Sequence, residues 1–190
     1  PLVWISQKIT KTFKKDKNKS VLSRADIAAI AIVGETSGTI NKDESAIIKN
    51  VLNFEQMTVR DIMTPRTVAF MINDKTSIRS FMAMPQSKTF SRVPVYTKDK
   101  DHIAGVVLKD DVLQCIIEKG DEDIPVSELM LDVNFVQDNL PLPDLFNTFT
   151  TQTQHLSVVK DEFGNTIGLV TMEDMIETLL GKEIVDESDR

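Results

Sequence analysis

Thr171 and Asp174 stand three residues apart in Gly168-Leu-Val-Thr-Met-Glu-Asp174, where a strand is expected to give way to a helix. A helix that begins just after Thr171 offers free backbone N–H groups and the positive end of its dipole, which favour phosphate. The Asp174 carboxylate, one turn in, can accept from both hydroxyls of a ribose, and the Thr171 hydroxyl can donate to a ribose or phosphate oxygen. Gly168 lets the strand start close against a neighbour. The group therefore suits a nucleotide. The same Thr-x-x-Asp spacing before an apolar helix is also a capping box, worth about 1 kcal/mol, and spacing alone favours the cap.

Met63-Thr64-Pro65-Arg66 is a second candidate. Thr64-Pro65 breaks a helix and turns into a strand, while Arg66 carries a planar fork suited to phosphate; taken by itself the segment reads better as a helix stop with an exposed arginine. Arg92 and His155, matched in the repeat described below, read as solvated or capping side chains at the mouths of strands. No acid/base pair and no Ser/His/Asp arrangement can be picked out, so catalysis finds no support. Two histidines and one cysteine give no N/S metal cluster to propose.

These residues lie within a duplication. Val59-Arg-Asp-Ile-Met63 returns as Val126-Ser-Glu-Leu-Met130, 67 positions on, and Gly105–Leu113 returns as Gly168–Ile176, 63 positions on. A unit of about 60 residues is too long for a solenoid repeat and suits two packed modules with a pseudo-two-fold cleft. Each copy reads as helix, strand, helix, strand, strand, helix, a mixed α/β unit with a small three-stranded sheet. In the first copy these are Val59–Met63, Val68–Ile72, Ser77–Met84, Arg92–Tyr96, Ile103–Leu108 and Asp110–Lys119. In the second they are Val126–Met130, Asn134–Val136, Leu142–Thr150, Leu156–Val159, Thr166–Val170 and Met172–Leu180, with Gly181 as the stop. Leu108 stands where the second copy has Thr171, although Asp111 matches Asp174, so the two clefts are not equivalent. Ahead of the repeat, Ser23 and Asp26 start a helix expected to stop near Gly34, and a second begins around 42–44. The expected division is 1–24 a basic arm, 25–57 a helical connector, 58–122 and 123–181 the repeats, and 182–190 an acidic tail.

The 190 residues are 41% hydrophobic, enough for one or two modest cores. The net charge of −7 hides an asymmetry: residues 1–24 carry seven Lys/Arg against one acid, and residues 25–190 carry 15 bases against 28 acids. A basic run behind Val3-Trp4-Ile5 suits a juxtamembrane arm against anionic lipid, or a solvated tail. The acidic body argues against nucleic acid. The longest apolar run, Ile27–Val33, is far short of a bilayer span, so any span is expected upstream. Cys115, in an apolar helical stretch, reads as a packed thiol.

The duplicated unit resembles a pair of CBS domains, with the glycine-hydrophobic-x-Thr-x-x-Asp signature at Gly168, Thr171 and Asp174. More narrowly, it is similar to the cytosolic part of the CorC/HlyC family, related to the cyclin M-type magnesium transport mediators. The strings that carry this are Asp61–Arg66, Ser91–Tyr96, Val159–Gly164, Thr171–Glu177 with Gly181, and Gly38–Glu44 upstream. The resemblance implies a parent with an N-terminal membrane domain and this pair on the cytoplasmic face of the membrane. It implies ATP or another adenosine nucleotide, usually with Mg²⁺, with Asp174 at the ribose, Thr171 at the ribose or phosphate edge and Thr64 near the adenine. It also implies a homodimer and a parent that handles Mg²⁺ or Co²⁺. The expected function is non-enzymatic: a regulatory pair that gates an attached transporter. Two alternatives stand beside it, a structural dimerisation platform and a direct Mg²⁺ sensor using acids such as Asp121–Asp123 or Asp186–Asp189.

Overall fold

Ser23 opens the helix α1 (Arg24–Thr36) with a reciprocal cap: Asp26 N donates to Ser23 Oγ at 3.1 Å and Ser23 N to Asp26 Oδ2 at 2.8 Å. In this computed structural model, residues 22–120, 123–151 and 155–182 are described. Most of the basic arm, the acids at 121 and 122 and the tail from 183 lie outside them. The chain divides into two compact units, 1–45 and 46–190. In the first, α1 does not stop near Gly34. One glycine costs a helix only about 1 kcal/mol; the helix runs on to Thr36, and the turn expected over Thr36–Gly38 follows it, with Gly38 at a φ of 75° that suits glycine. Asn41 and Glu44 then cap α2 (Lys42–Phe54) in the same reciprocal way, at 2.7 and 2.9 Å.

The second unit carries the duplication. A short helix α3 (Val59–Ile62) leads into β1 (Thr64–Pro65), then β2 (Ile72–Asn73), α4 (Ile78–Met82), α5 (Gln86–Thr89), β3 (Arg92–Tyr96), β4 (Ile103–Leu108) and α6 (Lys109–Lys119). After a 3₁₀ turn at Val126–Leu129 come β5 (Asn134–Gln137), α7 (Leu142–Thr151), β6 (Leu156–Lys160), β7 (Thr166–Thr171) and α8 (Met172–Leu180). One sheet has the order β2-β3-β4, the other β1-β7-β6-β5. Gly181 closes α8 at φ 66°, its N–H on Glu177 O at 2.7 Å. Among the described residues no helix is long and apolar enough to cross a membrane.

Three expectations need correction. Thr64-Pro65 is a strand, so one sheet has four strands where three were expected. Val68–Ile72 pairs only at its end: Val68 and Ala69 donate back to Pro65 O at 3.1 Å, and only Ile72 and Asn73 find partners, in Val95 and Tyr96. The helix expected over Ser77–Met84 runs over Ile78–Met82 and ends before Pro85 as expected, but a second short helix, Gln86–Thr89, follows that was not expected.

The opening segment of each copy serves the other copy. Arg60 N donates to Asp138 O at 2.8 Å and Val59 N to Leu140 O at 3.0 Å; their counterparts Ser127 N and Val126 N donate to Asp74 O and Thr76 O. Thr64 pairs with Leu169, and its counterpart Leu131 bridges Val106. The cores follow the exchange. Val59 and Ile62 pack with Leu142, Phe149, Val170 and Met175, whereas Val126 and Leu129 pack with Ile78, Phe81, Val95 and Val107. A third cluster, including Met71, Val106, Leu156 and Leu169, joins the two copies. Neither copy completes a core alone, and Cys115 is buried in the first. Arg60 adds a charge pair to the nearly buried Asp138, with Nε to Oδ2 at 2.8 Å.

Candidate functional site

The strand β7 and the helix α8 meet at Thr171, the N-cap of the helix. Thr171 Oγ1 donates to Asp174 Oδ2 at 2.8 Å, Thr171 N donates to the same oxygen at 2.7 Å, and Asp174 N donates back to Oγ1 at 3.2 Å. The capping box is therefore made. Met172 N is also engaged, on His155 O at 3.0 Å. This corrects the expectation of free N–H groups awaiting phosphate, because two of the first three are used within the chain. The Thr171 proton is used as well, so its oxygen can offer a lone pair but no further proton. Burial raises Asp174 above the usual carboxylate value; the bonds from the Thr171 side chain and backbone act in the opposite direction. All of these bonds go to Oδ2.

Thr64 reaches this junction through the exchanged strand β1, across from Leu169. Thr64, Thr171 and Asp174 line one cleft of about 320 Å³, together with Thr89, Phe90, Ser91, Arg92, Leu156 and Glu173. Three of the five residues expected at the site thus come together. Gly168 stands behind them as a spacer: a Cβ there would lie 2.7 Å from the Thr64 carbonyl oxygen. Arg66 does not line the cleft; it pairs with Asp101, in the turn between β3 and β4.

Among the described residues the cation of the cleft is Arg92, which sequence reasoning set aside as solvated or capping. Its Nη1 lies 3.6 Å from Glu173 Oε1. Phe90, also missed, is 43% exposed as a residue, and its ring stacks on Phe70 with centroids 5.7 Å apart and planes at 15°. The signal for both was present in Phe90-Ser-Arg92, against Thr153-Gln-His155 in the second copy. At the matching junction of the first copy, Leu108 is an N-cap with no side-chain bond. A second cleft, about 420 Å³, shares Asp174 and adds Met57, Asp61, Glu177 and Lys182. Three carboxylates against one lysine make it the poorer place for a polyanion. Among the described residues no group of three His, Cys, Asp or Glu is arranged to hold a metal.

The CBS domain family matches residues 59–118 and again 123–181. A UPF0053 protein of Synechocystis is 32% identical over all of this chain, which spans 54% of that protein. The magnesium and cobalt efflux protein CorC of Vibrio cholerae is 30% identical over 87% of this chain, which spans 56% of it. Among solved structures, the CBS domain of the bacterial CNNM/CorC family Mg²⁺ transporter superposes with a TM-score of 0.76 at 35% identity, covering 87% of this chain and 100% of that one. The same domain in complex with ATP gives 0.68 at 35% identity, covering 73% of this chain and 98% of that one. The duplicated core with exchanged openings is a tandem CBS pair, and this chain belongs to the CBS-domain family, in the branch found in the CNNM/CorC proteins. It spans about half the length of the two curated relatives named.

Proposed function

We propose that this CBS pair binds an adenosine nucleotide in the 320 Å³ cleft and relays its occupancy to an attached membrane domain that moves divalent cations. One observation carries the reading: the exchanged strand brings Thr64 beside Thr171 and Asp174, with an aromatic face at Phe90 and a guanidinium at Arg92. The ring suits a base, the carboxylate a ribose and the guanidinium a phosphate. A similar domain has been solved with ATP, at 35% identity.

Arg92 faces two carboxylates, Glu173 and Asp174, in the same cleft, so a triphosphate arrives under-neutralised. Mg²⁺ carried on the phosphates supplies the missing positive charge, and Mg-ATP is the expected form. The role is regulatory and non-enzymatic. Nucleotide shifts the module between two geometries by its differential affinity for them, typically 1–3 kcal/mol of coupling. The signal passes to the membrane domain from the cytoplasmic face of the inner membrane, with the basic arm against anionic lipid.

The module works as a homodimer. Leu113 and Ile117 on α6 and their counterparts Ile176 and Leu180 on α8 are exposed, one helical turn apart on each helix. Pseudo-two-fold stripes of this kind can meet the same stripes of a second copy, as an isologous interface requires. The completed capping box favours a second reading, a dimerisation platform in which Thr171 only caps its helix.

Calorimetric titration of ATP into residues 1–190, with and without Mg²⁺ and beside Asp174→Ala, separates the two. Saturable binding that the variant loses supports the regulator. A folded dimer that takes up no heat leaves the platform.

A further inference from the structure

We infer that Glu173 is a specificity-determining latch on the cleft, an internal anion that holds Arg92 until a phosphate displaces it. This rests on the nucleotide reading above. Glu173 Oε1 lies 3.6 Å from Arg92 Nη1, both residues line the cleft, and the Glu173 side chain is 56% exposed at the first turn of α8. It stands where a phosphate reaching for the guanidinium would stand. A guanidinium serves carboxylate and phosphate with the same fork, so the two compete.

No other cation lines the cleft among the described residues, and Asp174 adds a second negative charge. A ligand with one phosphate exchanges one anion for another. A free triphosphate must also bring its remaining charge up to a displaced carboxylate. Glu173 therefore penalises ligands in proportion to their uncompensated charge, and selects for phosphate neutralised by a bound cation. The matching residue of the first copy is Asp110, one methylene shorter, beside Leu108 in place of Thr171.

The test titrates AMP, ADP and ATP, each with and without Mg²⁺, into the wild-type chain and into Glu173→Gln, Arg92→Ala and the double variant. Removing an exposed charge is expected to tighten free ATP by about two- to fivefold. The gain should be smaller for ADP, smallest for AMP, and reduced when Mg²⁺ accompanies the nucleotide. In the Arg92→Ala background the same change should bring a clearly smaller gain, because only the repulsion remains to be relieved. Wild-type affinity for every ligand in Glu173→Gln would sink the latch and leave the nucleotide reading intact. An undiminished gain without Arg92 would also sink it, since Glu173 would then act only as a distant charge. Weaker Mg-ATP binding in Glu173→Gln would overturn it by making the carboxylate a ligand of the metal. Binding in the variant but not the wild type is the strongest form of the latch. Silence in every chain removes the nucleotide reading and this inference together.

Discussion

Gly168 and Thr64 meet where the two repeats exchange strands, so closely that a Cβ on the glycine would stand 2.7 Å from the threonine carbonyl oxygen. The contact recurs in the other half, where a Cβ on Gly105 would run into the Leu131 carbonyl and the Met130 side chain. Backbone cannot yield as a flexible side chain does. Each glycine to alanine change should therefore cost about 1–3 kcal/mol, the usual range for overpacking. Chemical denaturation should find the two losses similar. Gly168→Ala should also displace Thr64 from the cleft and weaken ATP, while Gly105→Ala should leave ATP affinity near wild type. Equal loss of binding in both would separate Thr64 from the ligand.

The pH dependence of Asp174 follows from its burial. Its carboxyl titrates above the ordinary value of 3.8, so the ionised form is disfavoured in the fold relative to the unfolded chain. The stability this group contributes is fully present below its unfolded value and is lost as pH rises through the higher folded value. On acidification from neutrality the wild type should gain on Asp174→Asn, beginning above pH 3.8. Thermal unfolding of both chains across the acid range checks the sign, and a wild type that loses ground would refute it.

Phe90 offers the cleft its exposed ring, held by stacking on Phe70. Loss of a base–aromatic stack costs about 1–3 kcal/mol, so Phe90→Ala should weaken ATP by roughly five- to 150-fold. Stability should fall by less, because the Phe70 contact is worth about 0.5–1.5 kcal/mol. Titration of the variant, with Phe90→Tyr restoring the affinity, reads the result. Unchanged affinity in the alanine variant would place the base elsewhere.

Ile117 is 83% exposed on α6, one turn from Leu113. Ile117→Glu would bury a charge in the proposed contact between two copies and should convert a dimer to a monomer without unfolding it. Light scattering measures the mass. A dimer that survives the change would move the interface off this face.

The duplication, the alternation of strand and helix, and the cap at Thr171 and Asp174 could be read from the chain because each is a local pattern. Arg92–Tyr96, Ile103–Leu108 and Met172–Leu180 stand where periodicity placed them, since an alternating or 3.6-residue stripe commits a segment before it meets a partner. Val68–Ile72 has strand composition too, yet only Ile72 and Asn73 find an edge to pair with. Pairing needs a second strand, which no local pattern supplies.

The same limit governs the cleft. Arg66 and Arg92 look alike as residues, and only the folded chain sets one against Asp101 and the other beside Thr171. Thr64 and Gly168 lie more than a hundred residues apart in sequence, and their contact exists because each repeat lends its opening segment to the other. Local propensities act over a few residues, so they could mark the strand–helix junction at Thr171. The opposite wall of the cleft had to come from long-range packing, which only the tertiary structure decides.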